Sequence, residues 1–121
     1  MTKRILVVED NEKNRRLIRD ILEYHGYEVL EAENGEVGIQ MAREYKPDMI
    51  LMDMQMPVMD GFTAISILKK DPATKGAWII AVTSFAMAGD KERILAEGAD
   101  DYISKPLNTR ELPDKLKKFL G

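Results

Sequence analysis

The chain has 121 residues, 18 Lys and Arg against 21 Asp and Glu, a formal charge of −3 and no cysteine. That is the length of one domain, and 45% apolar content is enough to bury a real core. The mild acidity argues against nucleic acid as the main partner. The absence of cysteine excludes disulfides and thiolate zinc sites and fits a reducing cytoplasm. No apolar run approaches the roughly 20 residues that a membrane span needs. The run after Lys3-Arg4 is broken by Glu9-Asp10, so it does not read as a signal peptide. With no repeat, linker or low-complexity tract, residues 1–121 read as a single domain.

Strand and helix patterns alternate along the chain. Arg4–Val8 is β-branched and apolar without polar alternation, which predicts a buried strand. Asn11 is a cap for a helix running to about His25, with Leu17, Ile18, Ile21, Leu22 and Tyr24 at helical spacing and Gly26 as its stop. Tyr27–Leu30 is a second strand, less apolar and therefore nearer an edge. Asn34-Gly35 turns into a second helix, with Val37, Ile39, Met41 and Ala42 on its apolar side, and Pro47-Asp48 ends it. Met49–Asp53 is the most apolar strand and reads as central. After the loop from Met56-Pro57 to Asp60-Gly61, Phe62–Lys70 is a third helix with Ile65 and Leu68 inward. Trp78–Thr83 is a fourth strand, and the fourth helix spans roughly Met87–Glu97, closed by Gly98. Asp101–Ser104 is a short fifth strand. Thr109 caps a last helix whose apolar face is Leu112, Leu116, Phe119 and Leu120.

Five strands alternating with five helices imply a doubly wound α/β sandwich, a parallel sheet covered on both faces. Right-handed crossovers leave few topologies, and the flavodoxin-like (βα)5 order 2-1-3-4-5 is the common solution. Ligands of such sheets bind beyond the carboxyl ends of the strands. Glu9 and Asp10 follow the first strand, Asp53 ends the third, Thr83 ends the fourth, and Lys105 follows the fifth. One edge therefore gathers three carboxylates with an ammonium beside them. Carboxylates crowded together repel and lose hydration, so the cluster calls for a cation. A hard divalent ion with oxygen ligands, Mg²⁺, suits it, together with phosphate chemistry.

Four segments carry a family resemblance over essentially the whole chain. They are Ile5-Leu6-Val7-Val8-Glu9-Asp10-Asn11, Asp53-Met54-Gln55-Met56-Pro57-Val58-Met59-Asp60-Gly61, Ala81-Val82-Thr83-Ser84 and Tyr102-Ile103-Ser104-Lys105-Pro106. Each is modest singly. In this order and spacing the chain resembles the receiver domain of bacterial two-component response regulators. Phe85-Ala86-Met87-Ala88-Gly89-Asp90 is similar to the subset found in single-domain cell-division regulators and in receivers fused to sensor kinases.

The resemblance implies that Asp53 accepts a phosphoryl group from a phosphohistidine on a histidine kinase or histidine phosphotransfer protein. It implies that Asp10 and Asp53 bind Mg²⁺ directly, Glu9 through a water, and Gln55 through its backbone carbonyl. Lys105 then pairs with a carboxylate at rest and with a phosphoryl oxygen afterwards, and Pro106 matches the family's cis proline. Thr83 matches the hydroxyl that moves onto the phosphoryl group, and Tyr102 the switch aromatic. Ser84 stands where the family most often has alanine or another small residue, and its hydroxyl bears on phosphate and water access. Taken alone, several of these residues have plainer readings: an acidic pair favouring a helix dipole, a loop lysine, a strand-ending threonine, a half-buried tyrosine.

The expected readout surface is the fourth helix, fifth strand and fifth helix, which Thr83 and Tyr102 flank. Phosphodonor docking is expected at the start of the first helix, at Asn11, Asn14, Arg15 and Ile18. Met52 reads as core, and Met54, Met56 and Met59 as loop residues walling the site, with no copper or haem chemistry. His25 has no assigned role. The expectation is a switch that binds a kinase, a phosphotransfer protein or a downstream effector, without nucleic acid or membrane, as a monomer or weak homodimer. No output segment follows the last helix, so the chain reads as a protein acting alone or as an excised receiver. The competing reading is a small-molecule phosphatase or phosphotransferase with an Asp nucleophile. The common haloacid-dehalogenase-like pattern wants a second Asp where this chain has Gln55.

Overall fold

A computed structural model describes residues 2–56, 58–84, 88–105 and 110–121, with backbone alone at 88–90. The elements in order are β1 (Arg4–Val8), α1 (Glu12–Tyr24), β2 (Glu28–Ala32), α2 (Gly35–Tyr45), β3 (Met49–Asp53), α3 (Gly61–Lys70), β4 (Trp78–Thr83), α4 (Ala88–Ala96), β5 (Asp101–Ser104) and α5 (Glu111–Leu120). The five strands are parallel in the order β2-β1-β3-β4-β5, the flavodoxin-like (βα)5 arrangement. β2 is at an edge and β3 in the centre, as their apolar content implies.

Alternation along the buried strands divides the core in two. Leu6, Val8, Ile50, Met52, Ile79 and Ala81 face Ile39 and Ala42 of α2, Ala64, Ile65 and Leu68 of α3, and Ile94 of α4. Ile5, Val7, Met49, Leu51, Ile80, Val82 and Ile103 face Ile18 and Leu22 of α1 and Leu112 and Leu116 of α5. Each fully buried aliphatic side chain of this kind contributes about 1.5–3 kcal/mol. The helices begin where short polar side chains replace missing backbone acceptors. Asn11 accepts from the Asn14 amide at 3.0 Å, Asn34 from Val37 at 2.9 Å, and Asp60 from Thr63 at 2.9 Å.

Several details depart from the sequence reading. β2 runs two residues further than expected because Glu31 and Ala32 continue the ladder beside Val7 and Val8. Helical spacing put Leu17 and Tyr24 on the apolar face of α1, yet they are 46% and 87% exposed. The seam of α1 is narrow, Ile18 and Leu22 flanked by a half-buried Ile21. Met54 and Met56 lie in the loop after β3, as expected, but both are buried in the first core cluster, with Met59 packed against it. The N-cap position of α5 is Arg110, without a side-chain cap. Thr109, expected there, lies outside the described residues, as do Pro106 with its expected cis bond, Pro57 and Phe85-Ala86-Met87.

Candidate functional site

Strand register brings the site together. Val8 pairs with Met52, Asp53 with Val82, and Thr83 with Ser104. Glu9, Asp53, Thr83 and Lys105 thus sit at or one step beyond the last paired position of four strands. Backbone bonds extend the ladder across them: Glu9 N–H to Ala32 O at 3.0 Å, Met54 N–H to Val82 O at 3.0 Å, and Lys105 N–H to Thr83 O at 2.7 Å. On the far side Gly61 brings α3 against the same rim. A Cβ there would meet Met54 Cα at 2.6 Å and Asp53 O at 2.9 Å, so only glycine lets the helix approach so closely.

One carboxylate oxygen from each of Glu9, Asp10 and Asp53 lies within 4.8 Å of the others. Lys105 Nζ donates to Asp53 Oδ1 at 3.0 Å and lies 3.8 Å from Glu9 Oε1. The Gln55 N–H also donates to Asp53 Oδ1, at 3.0 Å. Glu9 and Asp53 are each only 2% exposed, whereas Asp10 faces solvent. Glu9 Oε2 and Asp53 Oδ2, both fully buried, find no donor among the described residues. An unpaired buried charge of this kind is costly, and one lysine does not neutralise three carboxylates. The strain shows in Glu9, whose carboxyl is pushed up to about 8 by burial first and then by the neighbouring Asp53 carboxylate, against the opposing pull of Asn14 and Lys105. A proton or a cation relieves it. Two uncommitted buried oxygens beside an exposed carboxylate form an all-oxygen donor set, the chemistry a hard divalent cation takes.

The residues expected to act as the switch, Thr83 and Tyr102, are both described. Thr83 is 2% exposed, and its Oγ1 accepts from Gln55 Nε2 at 3.3 Å. The other end of that amide, Oε1, accepts from the Ser84 N–H at 3.3 Å. The Gln55 side chain therefore bridges the ends of β3 and β4. Nothing in the sequence signals this, since the expectation concerned only its carbonyl. Tyr102 is half-buried, its ring flanked by Lys91 Nζ at 5.5 Å and Lys115 Nζ at 5.6 Å. It thus sits between α4 and α5.

The residues expected at a docking surface divide. Asn11 and Asn14 are exposed. Ile18 is a correction: it is 2% exposed in the second core cluster and offers no surface to a partner, whereas Leu17 beside it is exposed. Arg15 is also turned inward, its side chain 20% exposed.

Known proteins similar to this chain identify its family. A family model described as the response regulator receiver domain matches residues 5–117. The polar-differentiation response regulator DivK of Brucella anthropi is 44% identical over 121 residues, all of this chain and 98% of that protein. Vibrio cholerae chemotaxis protein CheY4 superposes with a TM-score of 0.93 at 28% identity, covering 99% of this chain and 100% of its own. The receiver domain of sensor histidine kinase PA1611 from Pseudomonas aeruginosa, solved with magnesium coordinated in its active site cleft, has a TM-score of 0.90 at 34% identity, covering 98% of each chain. None of these favours the small-molecule phosphatase reading. The chain belongs to the response regulator receiver domain family, the phosphorylation-activated signalling switches of two-component systems.

Proposed function

We propose that Asp53 is the phosphoacceptor, that Mg²⁺ is the cation the rim takes, and that a phosphohistidine on a histidine kinase or phosphotransfer protein is the donor. The observation that carries this is the pair of buried oxygens on Glu9 and Asp53 that have no partner among the described residues, beside Asp10 and with Lys105 3.0 Å from Asp53. Asp10, Asp53 and the Gln55 carbonyl would hold the ion, with Glu9 acting through a water. The magnesium in the PA1611 receiver supports that choice of ion. When bound, Mg²⁺ supplies neutralisation of phosphoryl oxygens.

Each protein group then has a definable task. Lys105 and the Gln55 amide hold Asp53 Oδ1, which orients the carboxylate and leaves Oδ2 with uncommitted lone pairs. The Asp53 carboxylate attacks phosphorus in line: an O–P bond forms, the P–N bond to the donor imidazole breaks, and the imidazole keeps the electron pair. Lys105 stays within reach of the phosphoryl oxygens as charge develops. The acyl phosphate adds about −1.5 to −2 charges at neutral pH. Thr83 leaves Gln55 for a phosphoryl oxygen, the end of β4 moves with it, and Tyr102 changes rotamer between α4 and α5. That shifts a two-state equilibrium of the α4–β5–α5 face, where an effector binds. The chain is a signalling domain rather than a turnover enzyme, and its site is cytoplasmic. No described helix is long and apolar enough to cross a membrane.

Incubation with Mg²⁺ and acetyl phosphate tests the proposal. The expected product is a stoichiometric, acid-stable, base-labile adduct, absent in Asp53→Asn. A full-strength adduct in that variant, or none in the wild type, would refute it.

A further inference from the structure

The backbone of Glu9 is gripped from outside the site on both sides, through its own N–H and through the carbonyl it shares with the Glu9–Asp10 peptide. Glu9 donates its N–H to Ala32 O at 3.0 Å, and its carbonyl accepts from Arg15 Nη1 at 2.8 Å. Arg15 lies one turn into α1, and its guanidinium folds back over the end of β1. Its Nε faces Glu31 Oε1 at 3.4 Å, and Glu31 is the residue before Ala32 on β2. The other Glu31 oxygen is held by Arg19 Nη1 at 3.4 Å. Arg19 is steadied in turn by Glu23 at 3.4 Å and Asp20 at 3.7 Å. A chain of charge pairs, Arg19 to Glu31 to Arg15, therefore terminates on the backbone between two of the three carboxylates of the rim. The neighbouring Arg16 differs: among the described residues it pairs only with Glu12, at 3.5 Å, with both side chains largely exposed.

We propose that Arg15 is a positioning residue for the cation site. By clamping the Glu9–Asp10 peptide it sets the direction of both carboxylates toward Asp53. The inference rests on the reading of the rim as a Mg²⁺ site. The physical case is one of geometry. Mg²⁺ demands near-octahedral oxygens at about 2.0–2.1 Å and tolerates little drift. A rim built on the residues just past a strand end is held by few ladder bonds, so the orientation of its backbone needs another anchor. A guanidinium supplies it because a planar fork reaches a carbonyl and a carboxylate at once, which an ammonium does not.

Charge and geometry make opposite predictions here. Arg15 is a cation near a cation site, so on charge alone its removal strengthens Mg²⁺ binding. On the clamp, its removal weakens it. Groups that orient metal ligands typically account for 10–100-fold in affinity.

The test is a MgCl2 titration of the full ¹⁵N-labelled chain, followed by the amide shifts of residues 9–11 and 53–55. Arg15→Ala is expected to raise the dissociation constant about tenfold. Arg16→Ala removes the same charge one residue along and is expected to leave it within about twofold. Arg15→Lys should fall between. An Arg15→Ala chain that keeps a folded spectrum and binds Mg²⁺ as tightly as the wild type, or more tightly, overturns the clamp and leaves the metal reading standing. If Arg15→Ala does not fold, Arg15→Lys decides: a several-fold weaker constant supports the clamp and an unchanged one overturns it. A wild-type chain without saturable shifts overturns the metal reading and the clamp together.

Discussion

Two lysine–aspartate pairs sit at opposite rims of the same sheet with the same separation, 3.0 Å, and opposite meanings. At the end where strands begin, Asp100 Oδ2 accepts from Lys69 Nζ and from the Ile79 N–H at 2.8 Å, and Lys69 also reaches Ala77 O at 3.2 Å. Asp48 on that rim likewise accepts from the Arg4 N–H at 2.8 Å, and Asp101 from the Tyr102 N–H at 2.8 Å. At the end where strands finish, Asp53 and Glu9 face one another and each keeps a buried oxygen without a donor among the described residues. Parallel strands explain the contrast. All present amide N–H groups at their start and carbonyls at their finish, so carboxylates find backbone donors at one rim and few at the other. The first rim is a closed clip. The second leaves carboxylate oxygens uncommitted among the described residues, an arrangement suited to a cation.

The comparison breaks if the two lysine–carboxylate pairs respond alike to mutation. Lys105→Ala should slow labelling of Asp53 by acetyl phosphate about 100-fold or more, the usual scale for one preorganised charge contact in a transition state. Asp100→Ala should instead cost about 2 kcal/mol of stability in a denaturant melt, since it strands the Ile79 amide and Lys69. The folded Asp100 variant should label at the wild-type rate. Equal losses of rate in both variants would erase the distinction.

Metal linkage sharpens it. Mg²⁺ at ten times its dissociation constant should stabilise the chain by about 1.4 kcal/mol, read as a rise in melting temperature. The increment should survive Asp100→Ala and vanish in Asp10→Asn. Its survival in Asp10→Asn would place the ion elsewhere.

The smallest effect belongs to Asp101. Burial opposes its ionisation, but Lys115 at 2.9 Å, the Tyr102 amide and Lys118 outweigh it and hold the carboxyl below its ordinary value. A depressed folded value stabilises the protein above the unfolded pKa, and that stability is lost as pH falls through the folded value. Acid titration from about pH 4 downward should therefore cost the wild type somewhat more than Asp101→Asn, by under about 1 kcal/mol, because the Lys115 pair is partly exposed. Parallel acid melts of the two proteins would show it, and identical slopes would remove Asp101 from the account.

Much of this molecule is legible along the chain. Arg4–Val8, Met49–Asp53, Trp78–Thr83 and Asp101–Ser104 are strands with the bounds their apolar runs suggest, Asn11 caps the helix it precedes, and Asn34-Gly35 turns into the second helix. These are local properties, governed by side-chain period, β-branching and capping within a few residues. The rim is legible for the same reason, since parallel strands send the residue after each run to one edge. What tertiary structure decided is which side chain meets which. Ile18 is buried while Leu17 beside it is exposed, because α1 lays only a narrow seam on β1 and the α5 face. Met54 and Met56 are core, the Gln55 amide bridges to Thr83, and Arg15 turns back to the Glu9 carbonyl. Each of these depends on the relative placement of elements that are distant along the chain or turned toward one another by packing. Periodicity carries a residue's face but not the neighbour that awaits it there.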